Sequence, residues 1–112
     1  MAYDEVLAGR IRELVAGEPG ITEKKMFGGL AFLVGGHMSV SASGQGGLLV
    51  RVAPAGSEDL LAEPGAALMQ MGSRPPMAGW IRVAPEVLDD DAVLARWVER
   101  GVAYARSLPP KR

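Results

Sequence analysis

The feature that most constrains this fold is a series of glycine clusters set between short apolar runs. Gly28-Gly29, Gly35-Gly36 and Gly44-Gln45-Gly46-Gly47 divide the middle of the chain. Glycine takes the backbone angles of tight turns without steric cost, and strands joined by so few residues pair antiparallel. Leu30 to Val34 is then a short buried strand. Met38, Val40 and Ala42 alternate with Ser39, Ser41 and Ser43, which predicts a half-buried strand folded back on its predecessor. Leu48-Leu49-Val50-Arg51-Val52 makes a third strand after the next turn. Residues 21–26 are weakly strand-like and carry Lys24 and Lys25, as edge strands often do.

Helices are expected at both ends. Tyr3, Leu7, Ile11, Leu14 and Val15 recur at helical spacing, with Asp4 and Glu5 in the first turn and Gly17, Pro19 and Gly20 as a stop. This predicts a helix over 3–16 whose Arg10, Arg12 and Glu13 face solvent. Pro54 to Glu63 reads as a short helix ended by Pro64-Gly65. Residues 66–71 are ambiguous. Ser73 to Gly79 is a loop, because Pro75-Pro76 continues neither regular ladder. Trp80-Ile81-Arg82-Val83 is the last strand. For the final helix, Asp89 is the expected cap, with Leu88 and Val93 placed as a hydrophobic staple. Leu94, Trp97, Val98, Gly101, Ala105 and Leu108 share one face, and Pro109-Pro110 ends the helix before a basic tip, Lys111 and Arg112.

Length and composition bound the rest. A chain of 112 residues fits one domain, 1–112, and buries a core without covalent staples. It has 12 Lys plus Arg against 13 Asp plus Glu, so no global charge draws it to nucleic acid or an anionic membrane. Cysteine is absent, which removes disulfides, thiol catalysis and Cys-ligated metals. The start, Met-Ala-Tyr-Asp-Glu, is not that of a signal peptide, and no apolar run is long enough to span a bilayer. A cytoplasmic protein is expected.

Candidate chemistry is sparse. His37 is the single histidine, so zinc and copper sites lack ligands. His37 and Ser39 would share a strand face, yet no acid lies nearby in sequence to complete a nucleophilic set, and a histidine flanking a hairpin is the better account. The run 44–47 lacks the Lys-Ser/Thr and the following helix of a phosphate loop, so it is a hairpin turn. Asp89-Asp90-Asp91 suits a helix start better than a cation site. Arg96 and Arg100, four apart near the end of that helix, would form at most a small anion patch. No catalytic residue, metal or cofactor is expected.

The sheet offers more. If helices cover the face carrying Val50, Val52, Ile81 and Val83, then Leu49, Arg51, Trp80 and Arg82 point the other way. Tryptophan and arginine together are the composition of a protein-binding surface, and Arg74 and Met77 in the neighbouring loop would extend it. A plain solvated face, or one covered by the 66–79 segment, is the competing account.

Nearly the whole chain resembles a stand-alone TfoX N-terminal domain, the family named for a regulator of natural competence. The resemblance rests on Lys25-Met26-Phe27-Gly28-Gly29 with Phe32, on Gly36 with Met38, and on Leu49 with Val50-Arg51-Val52. It continues in Arg74-Pro-Pro-Met77 with Gly79-Trp80, and in Trp97-Val98 with the closing Ser107-Leu-Pro-Pro-Lys111. The Pro75-Pro76 pair departs from a more usual single proline. The resemblance implies an α+β domain of two layers, an antiparallel sheet of about five strands packed by N- and C-terminal helices, similar to the secretion-chaperone-like fold. It supplies no catalytic residues. It implies a regulatory role, weakened here because longer competence regulators carry a further helical domain. The expectation is a non-enzymatic regulatory or adaptor domain with a protein partner, a weak homodimer or hetero-partner site on the Trp/Arg face, and no direct specific nucleic-acid binding. The alternative is a small-ligand-binding domain with a pocket between sheet and helices, lined by Met26, Phe27, Phe32 and Trp97.

Overall fold

The computed structural model describes residues 4–26, 28–44, 46–68 and 79–109. Six strands form one antiparallel sheet in the order β1-β2-β3-β4-β6-β5. They are β1 (Ile21–Met26), β2 (Gly29–Val34), β3 (His37–Ala42), β4 (Leu48–Arg51), β5 (Ala66–Leu68) and β6 (Trp80–Val83). The helices are α1 (Glu5–Leu14), the short α2 (Ser57–Leu60) and α3 (Asp91–Ser107). The expected class is therefore correct, with one strand more than anticipated. The extra strand is β5, at the start of the segment whose sequence was ambiguous. Three residues are too few to display a period, and β5 exists because Ala66, Ala67 and Leu68 find Val83, Arg82 and Ile81 as partners.

The first four strands follow the glycines. Val34 pairs with His37 across Gly35 and Gly36, whose φ angles of 58° and 87° are those of a two-residue turn that matches strand twist. After β3, Ser43 and Gly46–Gly47 close a longer turn through backbone hydrogen bonds.

The core lies between one sheet face and the pair α1 and α3. Phe32, Val40, Leu48, Val50, Ile81 and Val83 from the sheet meet Ile11, Leu94, Trp97 and Val98 from the helices, all nearly inaccessible to solvent. Asp4 caps α1, its carboxylate accepting from the amides of Val6 and Leu7 at 2.9 and 3.1 Å. The α1 face is rotated slightly from the expected one. Ala8 is buried on it, while Leu14 is 46% exposed.

Two expectations need correction. Asp89 does not cap α3. Residues 85–89 wind into a 3-10 turn, and Asp90, with extended backbone, accepts from the amides of Ala92 and Val93. The staple drawn from an Asp89 cap shifts with it. Nor do Met38, Val40 and Ala42 share a face. Phe32 and Leu33 pair with Val40 and Met38, so Ser39 is an extra residue and the alternation reverses there. Ser39 Oγ donates to the Phe32 carbonyl oxygen at 2.7 Å. Val40 and Ala42 enter the main core, and Met38 goes to the opposite face.

Candidate interaction surface on the sheet

The face opposite the helices carries its own apolar cluster. Ala31, Met38 and Leu49 are buried in it, and Leu33 and Trp80 pack against them half-buried. Strand register explains the grouping. Ala31 faces Ser41, Ser41 faces Leu49, and Leu49 faces Arg82, which makes a row across four strands. The pair Arg51–Trp80 lies one step along, on the same side of the ladder.

Leu49, Arg51, Trp80 and Arg82 therefore stand together, as the alternation of β4 and β6 predicts. Their roles differ. Leu49 is only 8% exposed and serves mainly as floor. The Arg51 guanidinium lies 5.3 Å from the Trp80 ring centre and 5.6 Å from that of Tyr104, which ties the sheet face to the flank of α3. Arg82 donates from Nη2 to the Gly46 carbonyl oxygen at 3.0 Å. Arg74 and Met77 lie outside the described residues. The sequence reading missed Leu33, Met38 and Tyr104. Leu33 sits in a run that is apolar throughout, Met38 is displaced by the bulge at Ser39, and Tyr104 is joined to Arg51 only in three dimensions.

The other candidates make the following contacts. His37 Nε2 lies 2.5 Å from the Pro109 carbonyl oxygen, pinning the chain after α3, and Nδ1 is buried with no hydrogen-bond partner among the described residues. Ser39 is fully buried and bonded to Phe32 rather than to His37. Asp90 and Asp91 serve the start of α3, and Asp91 also pairs with Arg10 at 2.7 Å. Arg96 and Arg100 both reach Glu63, at 3.7 and 2.5 Å, and Arg100 stacks on Trp97. The hydrogen bond from Arg100, reinforced by the charges of both arginines against partial burial, holds the Glu63 carboxyl below its ordinary pKa. Among the described residues no group of three His, Cys, Asp or Glu is placed to hold a metal ion.

Phe32 and Trp97 are packed core residues; the side chains of Met26 and Phe27 lie outside the described residues. A cleft of about 550 Å³ does open between sheet and helix elsewhere. Val34, Gly35, Ala105 and Leu108 line it, with Pro19 and Gly20 opposite and the Glu18–Arg106 ion pair at its edge.

Comparison with protein families places these elements. The model of the TfoX N-terminal domain matches residues 13–105, from the end of α1 almost to the end of α3. The chain belongs to the TfoX N-terminal domain family. That match spans all six strands, so the sheet face falls within the TfoX N-terminal domain, as does the cleft lining except Arg106 and Leu108. Neither curated proteins nor solved structures give a match. Among the described residues, no helix of this TfoX N-terminal domain is long and apolar enough to cross a membrane.

Proposed function

We propose that this chain is a cytoplasmic, non-enzymatic regulatory or adaptor domain that acts by binding another protein, with transcriptional regulation as its setting. Membership of the TfoX N-terminal domain family supports the regulatory part. The observation that carries the binding part is the grouping of Trp80, Arg51 and Arg82 beside Leu33 and Met38 on the sheet face away from the helices. Tryptophan and arginine combine a large apolar surface with directional donors, and both are enriched among the residues that dominate interface energies.

Affinity capture from native lysate tests this reading, with wild type beside a Trp80→Ala, Arg82→Glu double variant. A partner retained by the wild type and lost by an equally folded variant supports it. A partner held equally by both removes this face. The same pair in analytical sedimentation tests the weak homodimer: a wild type that stays monomeric at high concentration leaves the hetero-partner form alone. Duplex DNA should bind weakly and be lost on adding salt, since the net charge is −1. Nanomolar sequence-selective binding at physiological salt would overturn the adaptor reading.

The cleft favours a second reading, a small-ligand site between sheet and helix. Its lining is mostly apolar, with the Glu18 and Arg106 charges at one side. A small amphipathic molecule that shifts the resonances of Val34, Ala105 and Leu108 would support it.

A further inference from the structure

We propose that the outer edge of β1 is a second protein-binding site, which adds to the sheet an extended segment carrying two consecutive acidic residues. The edge stands at the end of the strand order, and no described strand pairs with it. It spans residues 21–26, contains no proline, and pairs with β2 in continuous register from Ile21–Val34 to Met26–Gly29. The bulge of this sheet lies one strand further in, between β2 and β3. A regular edge of this length presents outward amides and carbonyls, which an added strand satisfies.

Charge selects the occupant. Thr22, Glu23, Lys24 and Lys25 are all exposed. Glu23 is already clamped by Arg12, whose Nε and Nη2 donate to its two carboxylate oxygens at 2.6 and 2.9 Å. Lys24 and Lys25 therefore dominate the field at the edge. Their register partners on β2 are Ala31 and Leu30, which belong to opposite faces of the sheet, so one lysine stands on each face. Successive residues of an added strand also alternate between faces. Two consecutive acids would thus meet both lysines at once, as opposite charges across a strand pair.

A second copy of this chain fits poorly. In an antiparallel pair related by a two-fold axis normal to the sheet, residue 23, 24 or 25 at the axis faces its own copy. Glu23 or Lys25 at the axis meets its like; with Lys24 there, Lys24 meets its own copy, and the flanking Glu23, already bound to Arg12, is left to be shared with Lys25 of the other copy. The lysines guard against self-pairing while admitting an acidic strand.

The test titrates isotope-labelled full-length chain with two synthetic extended peptides, reading amide shifts and hydrogen exchange at residues 21–26. One peptide carries a central Asp-Glu between valines and threonines; the other replaces these acids with Lys-Lys. The acidic peptide should protect β1 amides and bind on the order of tenfold more tightly than the basic one. The Lys24→Glu, Lys25→Glu variant should reverse that preference, its exposed positions leaving the fold intact. Equal binding of both peptides, no change at residues 21–26, or changes centred on another element would overturn the proposal. So would protection of β1 that grows with protein concentration alone, because it would make a second copy the occupant. These outcomes are independent of the Trp80 and Arg82 face, which the variant leaves unchanged.

Discussion

A single residue, Gly101, sets how closely α3 lies on the sheet. A Cβ there would press into the Ser39 carbonyl oxygen and come within 2.8 Å of Val40 Cγ1. Alanine is intrinsically better than glycine inside a helix by about 1 kcal/mol, but overpacking against rigid backbone costs about 1–3 kcal/mol. Gly101→Ala should therefore destabilise by up to about 2 kcal/mol in urea unfolding. An unchanged or raised midpoint would mean that α3 can shift away from the bulge. Phe32, with no solvent exposure, belongs to the same contact layer, and Phe32→Ala should cost about 3–5 kcal/mol. Phe27, also expected in the core, lies outside the described residues.

Among the elements, α3 provides two tests. Asp90 holds its first turn, so Asp90→Ala should cost about 0.5–2 kcal/mol, whereas Asp89→Ala should change little. Equal losses would mean that Asp89 contributes to the cap as well. Further along, the hydrogen bond from Arg100 and the charges of both arginines depress the Glu63 pKa, joining α3 to the chain after α2. A depressed folded pKa contributes stability that is complete above the unfolded value, near 4.3, and disappears as pH falls through the lower folded value. The melting-temperature gap between wild type and Glu63→Gln should thus be largest at neutral pH and narrow as pH drops below about 4. The Glu23 carboxyl, also lowered mainly by its hydrogen bond from Arg12, acts in the same direction. A gap that is constant with pH would mean the glutamine variant loses packing alone.

For the whole molecule, the continuity of the main core decides how it unfolds. The cluster takes side chains from α1, β2, β3, β4, β6 and α3, so the loss of any one of them opens the main core. Circular dichroism should report mixed helix and sheet and a single cooperative melt. Two resolved transitions would contradict one shared core.

Local chemistry sufficed for much of this architecture. Glycine turns forced neighbouring strands to pair, periodicity marked the terminal helices, and alternation in β4 and β6 brought Leu49, Arg51, Trp80 and Arg82 to one face. Tertiary structure decided the rest, because those features depend on partners distant in the chain. Ala66–Leu68 become a strand only beside β6. Ser39 becomes a bulge only where its hydroxyl bonds Phe32 and Gly101 crosses close above it. That inserted residue sends Met38 to the second face, a switch that strict alternation cannot encode. The stacking of Arg51 between Trp80 and Tyr104 likewise required three separate elements to meet, and no spacing within the chain records such a meeting.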